Sequence, residues 1–578
     1  MSLFNKIVWS SRRPPALLIP SFVSVVIYTL LLTPLTAAAA DDFSITNQMQ
    51  REQRVHHDAF RTRFNTASDV FSNPDDSEVI PSLEADQTDM PCFTLREVRW
   101  SSVLPPDDLV TRGDSVVGQC VGINTLRTLQ SALNESLTHH GLVTSRVVVP
   151  EQSLSSGVLT LQYLPGRLSS IEGQSLVGWS PMIMPGTEDD DLNQYDLDQM
   201  LENVRRLKGQ RDARIDIVPG SEFGTSRVVL YPGTGKRWHG YFGADNSGSK
   251  EMGRSRLNAG LILDSPFYLY DQLVVGWSSN SGVRSHSNYT YAKSLNYSVP
   301  FGYWSGFVGL SKARYQQGVS GYSEPILYGG TTRQVDAGIN VVPYRGSRYK
   351  GTTVLKVFHK RVASTINNIA IDVQRQDLIG YDVGHQHRHY LGRAVLDLGV
   401  GVRGSVPQFS HYPGYVAGRS EWNGRSTIFT ANAGAYVPFM FSDMSASYQL
   451  NWQMQHARTP ILSSDYFVIG DRHSVRGFDG QMTLASESGW TLRSDVSLMI
   501  GDNEQHLYVG LDVGNVSGRS SSYGVGHTLV GAVAGIRGRA WVSNVDVGYE
   551  LAIGRPVRKP ELLSVSSVVV TAAMSIEF

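Results

Sequence analysis

The chain has 578 residues, with 51 Lys and Arg against 52 Asp and Glu, and a formal net charge of −1. That length exceeds one ordinary domain, and the charge balance lacks the basic excess of a nucleic-acid binder or of a protein held on a polyanionic surface. Beyond the N-terminus no run of about eighteen apolar residues occurs, which excludes helical membrane spans, whereas abundant Gly and Tyr beside only two Cys suit a membrane barrel whose lipid face is hidden in alternation.

The N-terminus carries Lys6, Arg12 and Arg13, then an apolar stretch from Ala16 to Leu35, then Ala37 to Ala40 before Asp41. Basic, apolar and small residues in that order predict a secretory signal peptide over 1–40, cleaved after Ala40. Residues 41–64 contain no Gly or Pro and are rich in helix formers, but their apolar residues are too few to cover a core, so a helix here needs a polar place to sit. Residues 65–91, with Asn73-Pro74-Asp75-Asp76, read as a linker. Cys92 and Cys120 are the only cysteines, and in an exported chain such a pair can oxidise. Bonded, they close a loop of ~29 residues worth roughly 3–4 kcal/mol in chain entropy. Two buried free thiols are the alternative reading.

A small mixed module spans 92–166. Phe93, Leu95, Val98 and Trp100 predict a strand, and Ile123 to His140 carries Leu126, Leu129, Leu133 and Leu137 at helical spacing before Gly141. Val143 to Val149 and Val158 to Tyr163 read as two further strands separated by Pro150-Glu151-Gln152. The order strand, helices, strand, strand is that of a polypeptide-transport-associated (POTRA) domain. Gly141 to Arg146 with Val149 to Gln152 resembles the first such domain of two-partner secretion transporters. A second copy over 167–235 opens with Arg167 to Gly173, continues with a helix from Tyr195 to Leu207, and closes with Ile215 to Val218 and Ser226 to Tyr231.

Residues 236–578 alternate apolar and polar in long segments. Met444, Ala446, Tyr448, Leu450, Trp452 and Met454 take one face of a strand, and Ser445, Ser447, Gln449, Asn451, Gln453 and Gln455 the other. A membrane barrel needs ~9–11 residues per crossing, and about twenty-one per strand with its connection gives about sixteen strands. Starts are expected near Arg237, Arg254, Asp271, Ser287, Trp304, Arg333, Thr352, Arg375, Arg393, Thr427, Met444, Gly489, His506, Thr528, Trp541 and Ser566. An even count leaves both barrel ends on the side of the small domains. The last strand ends in Val570, Ala572, Met574, Ile576 and Phe578 on one face, resembling the C-terminal signal by which outer-membrane barrels are recognised for insertion.

Between the segments ending at Gln455 and resuming at Gly489 lies a stretch without a strand pattern, far longer than the ~12–15 residues at which a loop calls for a functional explanation. It contains Val475-Arg476-Gly477-Phe478, and one strand later the chain reads Gly510-Leu511-Asp512-Val513-Gly514. Both halves, in this order, resemble the paired loop and strand motifs of the outer-membrane insertase superfamily, specifically the two-partner transporters that export haemolysins and filamentous haemagglutinins. The resemblance implies that Arg476 points into the barrel and pairs with Asp512. Alternation agrees, placing Tyr508, Gly510, Asp512 and Gly514 on the face opposite Leu507, Val509, Leu511 and Val513.

The resemblance also implies that 41–64 is a plug helix inside the barrel, and that the periplasmic POTRA domains catch a large secreted exoprotein by its N-terminal secretion domain. Strand addition is expected beside Val143 to Val149 or Ile215 to Val218. The expected surroundings are outer-membrane lipid and, during biogenesis, the barrel assembly machinery, with no nucleic acid, no cofactor and no metal. An assembly insertase would share the loop motif but carries more periplasmic domains. A diffusive porin explains the alternation but neither the two domains nor the Arg–Asp pair.

Other motifs have plainer readings. Gly399-Val400-Gly401-Val402-Arg403-Gly404 fits a dinucleotide fingerprint, but Ser-Val-Pro-Gln follows where a helix is required. Gly233-Thr234-Gly235-Lys236 lacks the first glycine of a phosphate loop, with Leu230 in its place. His385, His387 and His389 share a strand face at a spacing that could bind a metal, and are expected instead as lumen-facing polar residues. No catalytic constellation is present, so the chain is not expected to be an enzyme.

Overall fold

The alternating segments of the C-terminal part pair in chain order into one closed antiparallel barrel of 16 strands. The computed structural model describes residues 69–70, 90–101, 103–173, 180–248, 253–280, 288–319, 326–414, 416, 422–501, 504–542 and 545–578. The expected signal peptide at 1–40 and plug helix at 41–64 lie outside the described residues. Strands β1 to β4 are Trp238–Asp245, Arg256–Asp264, Gln272–Asn280 and Tyr289–Phe301. Strands β5 to β8 are Trp304–Val319, Ile326–Arg345, Tyr349–Ile366 and Gln376–Leu391. Strands β9 to β12 are Ala394–Ser405, Ser426–Phe441, Met444–Ala457 and Ser488–Ile500. Strands β13 to β16 are Gln505–Ser517, Thr528–Val542, Val545–Arg558 and Val569–Glu577.

Closure is made by β16 on β1, with Ala573↔Asp245 and Glu577↔Tyr241 at the ends of the paired run. Phe578 extends this seam: its N–H donates to Gly240 O at 3.1 Å, and its ring meets Trp238 edge-on with centroids 6.3 Å apart. Closing the sheet removes the free edges that an open sheet of this size would expose.

Alternation sets which face lies outside and which lines the lumen. On β13, Leu507, Val509 and Leu511 are 49, 59 and 43 % exposed on the outside, whereas Tyr508 and Asp512 on the lumen side are 2 and 0 % exposed. Two expectations are corrected. The sixth strand begins at Ile326, not near Arg333, because backbone pairing with β5 runs on through Gly329-Gly330-Thr331-Thr332, where the sequence has no apolar alternation. His385, His387 and His389 face outward, not into the lumen: they share parity with Val383 and Leu391, while Arg388 points inward to Asp397. Ile379, Tyr381, Val383 and Leu391 mark that parity as the outer face, and the run of three imidazoles near the turn into β9 interrupts its apolar pattern. The outward imidazoles are hydrogen-bonded locally, the Tyr344 hydroxyl lying 3.0 Å from His385 Nε2 and 2.9 Å from His387 Nδ1, and Thr353 Oγ1 lying 2.9 Å from His385 Nδ1. Among the described residues no His, Cys, Asp or Glu cluster could hold a metal ion.

Two small mixed domains precede the barrel. In the first, Val158–Leu164 lies between parallel Glu97–Ser101 and antiparallel Arg146–Val148. Helices α1 (Asp107–Asp114) and α2 (Ile123–His139) cover one face, burying Leu109, Leu129, Leu133 and Leu137 against Leu159 and Leu161. Cys92 and Cys120 are bonded, with Cα atoms 5.3 Å apart, beside the short pairing of Phe93–Thr94 with Cys120–Val121. The second domain repeats the plan: Thr225–Tyr231 lies between Arg167–Gly173 and Arg214–Pro219 under helix α3 (Gln194–Arg205). Asn193 caps α3, its Oδ1 accepting from Tyr195 N at 2.8 Å.

This second domain is fastened to the barrel rim. Asn203 Nδ2 donates to Gly302 O at 2.8 Å, Arg206 Nη1 to Ser298 Oγ at 2.9 Å, and the Tyr303 hydroxyl to Asp196 Oδ1 at 2.6 Å. The two faces of the barrel wall predict an asymmetry in tolerance. Val509→Arg, on the lipid side of β13, should lower barrel stability by about 2–4 kcal/mol in bilayer unfolding titrations, while Ser311→Arg, which points into the lumen, should change it by less than about 1 kcal/mol.

Candidate functional site

The loop between β11 and β12 folds inward, and its local chemistry explains its shape. Phe467–Ile469 and Leu484–Ser486 pair as a short hairpin, so the stretch expected to be wholly irregular contains two small strands. Between them, Asp471 Oδ1 accepts from His473 N at 2.9 Å and from Ser474 N and Oγ at 2.8 Å each, an Asx-type turn that reverses the chain before Val475. Gly480 N donates to Gly470 O at 3.1 Å and closes the tip. Ile469, Val475, Phe478 and Leu484 then bury against Val516 and Leu529 of the wall and Leu563 of the last long loop, making an apolar core inside the barrel.

Arg476 joins this tip to β13. Its Nε donates to Asp512 Oδ2 at 2.7 Å and its Nη2 to Asp512 Oδ1 at 2.6 Å, the two-point geometry that a planar guanidinium offers a carboxylate. The backbone N–H of Arg476 adds a third bond to Asp512 Oδ2 at 2.8 Å. On the neighbouring strand β12, Asp495 Oδ1 lies 2.6 Å from Arg476 Nη2, and Arg493 Nε lies 4.0 Å from Asp512 Oδ2. The Asp512 side chain is fully buried and that of Arg476 is 9 % exposed.

Glycines make the approach possible. A Cβ on Gly514 would lie 2.8 Å from Val475 Cγ2, and one on Gly510 would lie 2.8 Å from Arg476 Nη2. Gly477 turns the chain with φ +101, and a Cβ there would lie 2.6 Å from Arg555 O of β15. The sequence-predicted residues Val475, Arg476, Gly477, Phe478, Gly510, Asp512 and Gly514 are therefore brought together. Phe578 at the seam and the Cys92–Cys120 bond in the first small domain lie in other parts of the fold. Sequence reasoning missed Asp495 and Arg493, although both stand on the polar face of a segment whose alternation was legible. Beside the loop the lumen keeps a cavity of about 510 Å3, with Lys356, Lys360 and Arg403 in its wall.

A second charged cluster, with no sequence signal, sits at the rim that carries the small domains. Asp69, from the linker, lies 2.6 Å from Arg388 Nη1 and 3.0 Å from Lys350 Nζ, and accepts from the Tyr390 hydroxyl at 3.1 Å. Lys350 also pairs with Glu202 of α3, which meets Arg345 Nη1 at 2.8 Å. One lysine thus holds both the linker and the second domain. Burial pushes the Asp69 carboxyl up, but Lys350 and Arg388 outweigh it, so its pKa lies below the ordinary carboxylate value.

The family model of the haemolysin secretion/activation protein ShlB/FhaC/HecB matches residues 224–538, and that of the ShlB-type POTRA domain matches residues 93–166. The chain belongs to the ShlB/FhaC/HecB family. Among its relatives, the outer membrane transporter CdiB-2 of Burkholderia pseudomallei strain 1026b is 28 % identical over 568 residues, covering 94 % of this chain and 96 % of the relative. The hemolysin transporter protein ShlB of Serratia marcescens is 27 % identical over 432 residues, covering 73 % of this chain and 75 % of the relative. The solved structure of CdiB from Acinetobacter baumannii superposes with a TM-score of 0.79 at 25 % identity, covering 93 % of this chain and all of that one. As a member of the ShlB/FhaC/HecB family, the chain is an outer-membrane transporter of the two-partner secretion class, with its POTRA fold on the periplasmic side.

Removing one partner of a buried pair costs ~3–5 kcal/mol, so Asp512→Asn should make the 467–480 tip accessible to added protease while the barrel stays inserted. Exchanging the partners, Arg476→Asp with Asp512→Arg, should not restore protection: the new carboxylate would face Asp495, the new guanidinium would face Arg493, and the residue 476 N–H would lose its acceptor.

At the rim, a depressed Asp69 pKa means that the linker contact persists above the ordinary carboxylate range and is lost only as pH falls below it. A Val70→Cys variant should react slowly with 4,4′-dithiodipyridine, a reagent that still modifies thiols in acid, from neutral pH down to about pH 4, and quickly at neutral pH when Lys350→Ala and Arg388→Ala are added.

Proposed function

We propose that this chain is the pore partner of a two-partner secretion system, catching a large haemolysin- or adhesin-like exoprotein by its extended N-terminal secretion domain and passing it through the barrel to the cell surface. The observation that carries the reading is the Arg476–Asp512 anchor, which fixes an inward loop in a barrel that also bears two small domains at its periplasmic rim. The loop so held keeps the lumen in a secretion-competent arrangement. Residues 41–64 act as the plug that leaves the pore when the partner enters. Transport proceeds without nucleotide hydrolysis or other catalysis, and folding of the exoprotein outside supplies the directional free energy. Phe578, seated at the β1–β16 seam, serves as the signal read by the barrel assembly machinery, and the outward apolar rows contact outer-membrane lipid.

Strand addition to an exposed sheet edge suits capture of an unfolded client, because backbone hydrogen bonds give affinity without demanding one sequence. The test is export in cells that produce this chain together with its exoprotein. The intact chain should release the exoprotein to the medium, and a variant lacking residues 92–235 should insert its barrel yet release none. Undiminished release from that variant would refute capture by these domains. Deleting 42–64 should raise single-channel conductance in planar bilayers, and an unchanged conductance would refute the plug assignment.

A further inference from the structure

Both small domains present the same kind of edge, the strand that follows the long helix, but only one of them leaves it open. In the first domain that strand is Arg146–Val148, and its middle residue is already occupied. Asn134 Oδ1 of α2 accepts from Val147 N at 2.8 Å, while Asn134 Nδ2 and Gln130 Nε2 each donate to Val147 O at 3.1 Å. One side-chain amide thereby makes the paired donor and acceptor contacts that the peptide groups of an added strand would make. Further along the same side of the central strand, Gln152 does likewise for Thr160, accepting from its N–H at 2.7 Å through Oε1 and donating to its O at 2.8 Å through Nε2. The Pro150-Glu151-Gln152 segment, read in the sequence as the separator of two strands, has a physical role as a stopper on the sheet edge.

The second domain differs. Its corresponding edge strand, Arg214–Pro219, pairs on one side with Thr225–Tyr231, and among the described residues no side chain bonds the outward backbone groups between Ile215 and Val218. The opposite edge of that sheet is covered at Leu168, whose N–H donates to Asp190 O at 2.9 Å and whose O accepts from Asp189 N at 2.8 Å. The open edge also starts at the pore: Gly209 N, five residues before Arg214, donates to Asp264 Oδ2 of β2 at 2.7 Å. One face of the open strand is apolar, with Ile215 against the domain core and Ile217 exposed, and the other carries Arg214 and Asp216. A segment that alternates apolar and polar residues matches both faces.

We infer that the secreted partner's extended segment adds to the Arg214–Pro219 edge of the second domain and is refused by the first, whose edge Asn134 and Gln152 close. This rests on the reading of capture by strand addition given above, and it names the edge. The first domain then contributes through its other surfaces, and the strand added to the second begins its path at the barrel rim.

The experiment uses the full chain in nanodiscs and a biotinylated eight-residue peptide of alternating Val and Thr, with the photoreactive residue p-benzoylphenylalanine placed at Val148, Ile217 or Val98. Labelling at Ile217 should exceed labelling at Val148 by about tenfold, and Asn134→Leu with Gln152→Leu should raise labelling at Val148 to the level of Ile217. Hydrogen exchange on the unsubstituted chain gives a second readout that does not depend on those variants folding. The Val147 and Thr160 amides should be protected without peptide, and the outward amides between Ile215 and Val218 only with it. Equal labelling at Val148 and Ile217 in the unsubstituted background, or dominant labelling at Val98, would overturn the choice of edge and leave capture by strand addition standing. No labelling at any of the three, with no peptide-dependent protection, would refute strand addition itself.

Discussion

A carboxylate with no solvent exposure, set in the wall of a barrel, has to be neutralised by something that reaches it. Asp512 is such a group, and Arg476 meets it with both its guanidinium and its own backbone N–H. Desolvating two charges is costly, and the geometry compensates through three hydrogen bonds and a second carboxylate at Asp495. Because the contact is made from a loop and not from the wall, the electrostatic demand of one strand residue dictates the position of the whole segment from β11 to β12. The apolar cluster of Val475 and Phe478 with Val516 and Leu529 adds burial at the same place, so charge pairing and packing select the same loop position.

The opposite end of the lumen is organised by the same kind of chemistry with a different consequence. At the periplasmic rim Lys350 is shared between Asp69 and Glu202, and Arg345 reinforces Glu202. Linker, second POTRA domain and barrel are thereby joined through a few charged side chains, so displacement of the domain and release of the linker draw on common contacts.

Much of this was legible in the sequence, for identifiable reasons. Barrel strands are long and have two faces in different media, so period-two alternation located most of them within a few residues, and parity alone oriented Asp512. The loop and strand motifs were visible because buried Arg–Asp pairing with glycine clearance needs particular residue types at particular places. Legibility failed where those conditions lapse. β6 begins ahead of a glycine and threonine run with no apolar alternation, and on β8 three imidazoles stand where apolar residues otherwise mark the outer face, so neither that boundary nor that facing was read. Helix α1, eight residues after Pro106, is too short to show a periodic stripe. The rim cluster at Asp69 assembles residues more than 300 positions apart, and no local pattern announces such a meeting.

In the working protein Asp512 should hold the loop tip against β13. A Cβ at Gly514 would lie 2.8 Å from Val475 Cγ2, so a Val475→Cys, Gly514→Cys pair reports that position directly through disulfide formation in the oxidising periplasm. With Asp512 intact the cross-link should form without added oxidant in most molecules of the inserted protein, and with Asp512→Asn in the same background it should fall by about tenfold. Efficient cross-linking in both, or none in either, would contradict the account.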